Sequence, residues 1–426
     1  MTNPSRSPFL LVIILGCLFF VFGFVTWLNG TLIPYLRIAC ELNNFQSLLV
    51  TFAFYISYFF TAIPSSWLLK RTGLKKGMMI GLIVMALGAL LFIPAAFTRT
   101  YYLFLAGLFI IGTGLSLLQT ASNPYITIVG PIESAARRIS IMGICNKVAG
   151  VLAPVILGAI ILADADTLTE GLRLMDEQER MQTLHALAKR VIMPYAVMSG
   201  VLLLLALFVR FSSLPEISLH DEVNNQEQTA HQSVLAYPNL VLGAIALFLY
   251  VGAEVIAGDT IGGFGHAQGI PLSEAKNFTS LTLSAMVVGY LIGVLLIPRY
   301  LKQDRALLYS AVLGIILSLI AVATSGYAAV CCIALLGLAN ALMWPAIWPL
   351  AIKGLGRHTN TGSAILIMSI AGGALLPLVY GKLADMPAIG NHRAYLILIP
   401  CYLFILYYAI REHKRENRFS SNINNI

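Results

Sequence analysis

Twelve stretches of roughly twenty mostly apolar residues follow one another along this 426-residue chain, and that feature narrows the possible folds more than any motif does. Their limits fall at 9–28, 46–69, 76–97, 101–129, 138–163, 191–211, 239–260, 278–298, 306–325, 328–352, 362–384 and 394–411. In hydrocarbon every backbone N–H and C=O must be satisfied internally, so runs of this length predict membrane-spanning helices. The expected fold is an all-α polytopic membrane protein. Composition agrees: 58% of residues are hydrophobic and 11% charged, against about a quarter charged in a soluble domain. A soluble enzyme, a disordered regulator and a secreted disulfide scaffold are excluded. The first run continues to Leu28 without a small-residue cleavage site, so it reads as a span and not as a signal peptide.

Polar segments divide the runs. Residues 212–238 split the chain into six plus six, predicting an N-terminal bundle over 1–211, a cytoplasmic linker over 212–238 and a C-terminal bundle over 239–426. A second polar segment, 164–190, separates the fifth and sixth runs. With both termini inside, 17 of the 27 Lys and Arg residues face the cytoplasm, nine face outward, and Lys147 is left within a span. The net charge of +8 is therefore a topology signal, and no nucleic-acid partner is expected. The six cysteines lie mostly in apolar runs with no C-x-x-C pair, and read as small buried hydrophobes.

The halves echo one another. Gly112 and Pro124 are spaced like Gly337 and Pro349, and Gly150, Pro154 and Gly158 like Gly373, Pro377 and Gly381, at offsets of 225 and 223. A duplicated six-helix unit facing its copy across a cavity is the architecture of an alternating-access transporter.

A charge at the bilayer centre costs about 3 kcal/mol or more, so the informative residues are those that break the apolar pattern. Lys147, about 15 Å deep, is either a fixed positive charge in the cavity or half of a structural ion pair. Glu254 lies in a glycine-rich seventh span expected to be broken in its outer half. Freed carbonyls and a carboxylate there could hold Na⁺, the carboxylate could instead take a proton, or it could pair with Lys147 and hold the halves together. Asp259, five residues on, is placed near the outer boundary, about 140° around an unbroken helix from Glu254. Trp27, Asn29, Tyr55, Tyr58, Gln119, Asn123, Asn146, Asn340, Trp344 and Trp348 form an uncharged polar and aromatic set. Amides match vicinal hydroxyls and aromatic faces cover a sugar's C–H face, although helix–helix bonding competes for the amides. No P-loop, H-E-x-x-H or G-x-S-x-G occurs, which disfavours an ATP-driven pump and a membrane enzyme.

Five segments carry a family resemblance: NFQSLLVTFAFYISYF (44–59), GLSLLQTASNPYITIVGP (114–131), RISIMGICNKVAG (138–150), YVGAE (250–254) and IKGLGRHTNTGSAILIMSIAGGALLP (352–377). In order along nearly the whole chain, they resemble the fucose–galactose–glucose symporter family of the major facilitator superfamily, the glucose/galactose branch more than the fucose permeases. The resemblance implies twelve helices in two bundles, a central site for a small neutral sugar and cation-coupled import by a monomer in the bacterial cytoplasmic membrane. No cofactor is implied beyond a coupling ion, Na⁺ or a proton. Substrate contacts are then expected from Asn29, Tyr55, Gln119, Asn123, Asn146, Lys147, Asn340 and Trp344, and ion coupling from Glu254 and Asp259. The family's fucose permeases carry acids where this chain has Gly30 and Gln119, and an amide where it has Glu254, so the acidic function is expected to have moved to the second bundle. Fucose, N-acetylglucosamine and a polyspecific exporter of the superfamily stand as alternatives. KRTGLKKG (70–77) is a degenerate match to the superfamily's basic loop.

Overall fold

The computed structural model describes residues 8–128, 135–172, 174–212, 234–297, 300–355 and 359–423. Its first half consists of α1 (Pro8–Trp27), α2 (Asn29–Ala39), α3 (Asn44–Ser47), α4 (Leu49–Thr72), α5 (Leu74–Leu90), α6 (Phe92–Thr98), α7 (Tyr101–Ile128), α8 (Ala135–Ile161), α9 (Ala165–Leu172), α10 (Glu177–Lys189) and α11 (Ile192–Phe211). The second half runs through α12 (Pro238–Asp259), α13 (Ile261–Ala267), α14 (Leu272–Ala275), α15 (Phe278–Leu296), α16 (Gln303–Ala323), α17 (Gly326–Ala341), α18 (Met343–Ile352), α19 (Thr359–Met368), α20 (Gly372–Ala384), α21 (Gly390–Arg393) and α22 (Leu398–Ile423). Among the described residues twelve helical stretches are long and apolar enough to cross a membrane. Most of the linker expected at 212–238 lies outside the described residues.

Several spans are interrupted. The first breaks at Leu28 between α1 and α2, the seventh at Thr260 between α12 and α13, the tenth at Leu342, and the eleventh passes through a 3₁₀ turn at Ser369–Ala371. The first span thus runs beyond Leu28, where the polar Asn29–Gly30–Thr31 ended the apolar pattern. The polar segment 164–190 folds into α9 and α10 on the face remote from the termini.

Lipid offers no hydrophobic drive between helices, so close packing relies on small residues. The sequence echo is a packing echo. A Cβ on Gly112 would collide with the Phe54 carbonyl of α4, and one on Gly337 with the Thr282 carbonyl of α15. Gly23 similarly admits the Asn146 carbonyl of α8 to α1, and Gly372 admits the Phe248 carbonyl of α12 to α20. Within each half, α5–α7, α4–α7 and α1–α8 pack together, as do α15–α17, α16–α22 and α12–α20; α8 meets α15 and α4 meets α20 across the seam between halves. Phe60, Trp67 and Leu295, 61%, 64% and 73% exposed, belong to an apolar perimeter suited to hydrocarbon.

Candidate functional site

At the middle of the seam, Lys147 Nζ of α8 donates to Glu254 Oε1 of α12 at 2.6 Å, both side chains about 10% exposed. Close backbone approaches build this meeting. Gly23 and Gly150 bring α1 against α8, and the Trp27 indole fills the space beside Gly150 and Gly258. The ammonium lies 4.7 Å from the centre of that ring, where a cation is attracted to the π face. Trp27 also packs with Leu283, Met286, Tyr290 and Ala341, residues of the opposite half. One turn before Glu254, the Tyr250 hydroxyl approaches the same carboxylate, with Trp344 6.5 Å away, stacked on Trp348. The ion pair read from the sequence as one of Glu254's possible states is the one present.

Asp259, the last residue of α12, is 1% exposed. One oxygen accepts from Thr51 Oγ1 of α4 at 3.3 Å; the other has no hydrogen-bond partner among the described residues. The α12 break falls at Thr260, one residue later. Ile256 O accepts from Thr260 Oγ1 at 2.7 Å, Ala257 O from Thr282 Oγ1 at 3.2 Å and Gly258 O from Thr279 Oγ1 at 2.8 Å. Three threonine hydroxyls therefore donate to carbonyls just before the break. Among the described residues no group of three or more His, Cys, Asp or Glu side chains gathers.

The other expected residues divide. Tyr55 stands close to both Glu254 and Asp259 and stacks on Tyr58 at 6.3 Å. Asn29, at the α1–α2 break, is 1% exposed with its amide nitrogen unpaired among the described residues. Asn146 donates to Phe19 O at 3.4 Å, a helix–helix bond. Asn340 accepts from the Tyr402 hydroxyl at 3.0 Å while its own nitrogen stays unpaired among the described residues. Gln119 is half-buried on α7, and the side chain of Asn123 lies outside the described residues. Thr51, Tyr250 and Tyr290 lie outside the set read from the sequence.

On the face remote from the termini the halves are latched. Asp385, after α20, accepts from Asn44 Nδ2 at 2.6 Å and from the Phe45 backbone N–H at 2.8 Å, at the start of the second span. Lys276, before α15, donates to Leu162 O at 2.8 Å and Gly158 O at 3.4 Å, at the end of α8. Ser280 Oγ adds a bond to Val151 O at 2.7 Å. Around this face Arg99 and Arg180 both pair with Glu41, and Arg190 grips Asp164, holding that carboxyl below the usual carboxylate range.

A family model described as Major Facilitator Superfamily matches residues 15–377. A relative named glucose/galactose transporter, from Brucella abortus biovar 1 (strain 9-941), is 38% identical over 399 residues, covering 93% of this chain and 92% of the relative. One named L-fucose-proton symporter, from Escherichia coli (strain K12), is 32% identical over 414 residues, covering 96% and 94%. A crystal structure of the transporter FucP in the outward conformation superposes with a TM-score of 0.73 at 29% identity, covering 96% of this chain and 99% of that one. A D-xylose-proton symporter shares the fold, with a TM-score of 0.67 at 12% identity.

Proposed function

The chain belongs to the Major Facilitator Superfamily, in its fucose–galactose–glucose symporter family, and from that premise we propose that it imports a neutral monosaccharide together with a cation by alternating access. Glucose or galactose is the proposed substrate ahead of fucose or N-acetylglucosamine, in keeping with the names of its relatives. It is a carrier and not an enzyme. The excess of basic residues on one side supports a cytoplasmic-membrane protein with both termini inside.

The observation that carries the mechanism is the ion pair between Lys147 and Glu254 across the seam, under the Trp27 ring. Glu254 is the coupling acid. A proton on it dissolves the pair and leaves the ammonium free to donate to sugar hydroxyls; a sodium ion in its place would displace the ammonium from an ionised carboxylate. Asn29, Tyr55, Gln119, Asn123, Asn146, Asn340 and Trp344 complete the proposed sugar contacts, with Asp259 as the second carboxylate of the seam.

Counterflow of a panel of hexoses and amino sugars in proteoliposomes, under separately imposed pH and Na⁺ gradients, tests substrate and ion together. Glu254→Gln is expected to lower gradient-driven accumulation by about tenfold or more, a loss of about 1.4 kcal/mol or more of coupling. Full gradient-driven uptake by that variant would refute the assignment.

A further inference from the structure

Asp259 is buried to 1% exposure, and among the described residues one of its carboxylate oxygens is unpartnered and no cation faces it. On its own helix stands Glu254, of the same sign. From α4 come the uncharged Thr51 and Tyr55, and α2 contributes Asn29, while Arg37 stands beside Asp385 and Tyr380. From α15, Thr279 and Thr282 spend their hydroxyls on backbone carbonyls. Asn340 of α17 and Tyr402 of α22 bond each other, and Tyr395 bonds Thr260. Lys147 is engaged by Glu254 and Trp27.

An ionised carboxylate in that setting would be a buried charge with a single weak donor. Burying an unpaired ion costs far more than burying one unpaired neutral polar atom. We infer that Asp259 carries a proton on its unpartnered oxygen, Oδ1, whenever the outer half of the seam is closed, which makes it a proton-binding site that gates access from the outer face. The proton comes from outer water while the seam is open, and ionisation returns it there when the seam parts. Thr51 Oγ1 donates to Oδ2, the carbonyl oxygen of the neutral acid, and so ties α4 to α12 while the seam is closed. The gate rests on the transport reading above but uses a different carboxylate from Glu254.

The test is a distance across the outer face of the full-length protein in proteoliposomes. Spin labels are placed at the exposed Gln182 and Ser325, on opposite halves, in a background with the six cysteines replaced. Raising the pH from about 5 to about 9, a range wide enough to ionise a buried carboxyl, is expected to increase the long-distance population about tenfold or more. Asp259→Asn is expected to hold the short distance throughout. A pH-independent distance in the unsubstituted chain, or a response that survives Asp259→Asn, overturns the proposal. If Asp259→Asn does not fold, Thr51→Val replaces it. Loss of its hydroxyl weakens the closed state, so opening shifts to lower pH, and an unshifted response counts against the gate. The sugar panel is a separate readout: its failure would reject the transport reading and leave the distance response standing.

Discussion

Removing one member of a buried ion pair strands the other without a partner, whereas removing both leaves only a packing change. Lys147 and Glu254 fit that case, at 2.6 Å with about 10% exposure each. Lys147→Met and Glu254→Gln alone are each expected to destabilise the protein by about 3 kcal/mol, and the double variant by much less. Thermal unfolding in one detergent measures the cycle, and additive losses would mean that the two side chains do not act as a pair. These residues are legible in the sequence because intramembrane charge is rare, and Lys147, Glu254 and Asp259 stand out against the apolar pattern. Their surroundings were less legible. Thr51 is one threonine in an apolar run, and only the meeting of α4 with α12 gives it an acid to serve. Asn146 was grouped with sugar ligands, but the close approach of α1 at Gly23 puts the Phe19 carbonyl within its reach.

Helix ends decide how the two halves stay shut. Asp385 sets a carboxylate at the N-terminal start of the second span, and Lys276 sets an ammonium at the C-terminal end of α8. Each charge meets the helix end of opposite partial charge. The two latches are related by the duplication, since Leu162 and Asp385 stand 223 residues apart, the offset that relates Gly158 to Gly381. Asp385→Asn with Lys276→Met is expected to raise the outward-open population on the order of tenfold at low salt and less at high salt, because exposed charges are screened. Cross-linking rates between cysteines placed across the outer face report that population, and unchanged rates would reduce the latches to surface contacts. The same duplication explains why the fold was largely readable: apolar runs gave twelve spans, and recurring Gly and Pro gave two halves. The latches escaped because their residues lie beyond the runs, among polar positions that look alike until helix ends are brought together. The interruptions at Leu28 and Thr260 were half legible, since glycines marked a weak region of the seventh span and tertiary contacts chose the residue.

For the whole molecule, the FucP structure in its outward conformation and this chain, latched on its outer face, fit two states of one fold related by movement of the bundles. The charge carried across decides what can drive that movement. Lys147 and Glu254 sum to zero while paired, and the proposed sugar is neutral, so under the proposed mechanism each cycle moves the charge of the coupling cation alone. An inward-negative potential of about 100 mV is worth about 2.3 kcal/mol per elementary charge, enough for about fiftyfold accumulation of a substrate moved with one cation. A potassium diffusion potential of that size, imposed on proteoliposomes without a pH or Na⁺ gradient, is therefore expected to drive sugar uptake above its equilibrium level. Glu254→Gln, which carries no exchangeable charge, is expected to equilibrate sugar without accumulating it. Uptake indifferent to the potential in the unsubstituted protein would mean that no net charge crosses with the sugar, and the Lys147–Glu254 pair would then hold the halves together without coupling them to an ion.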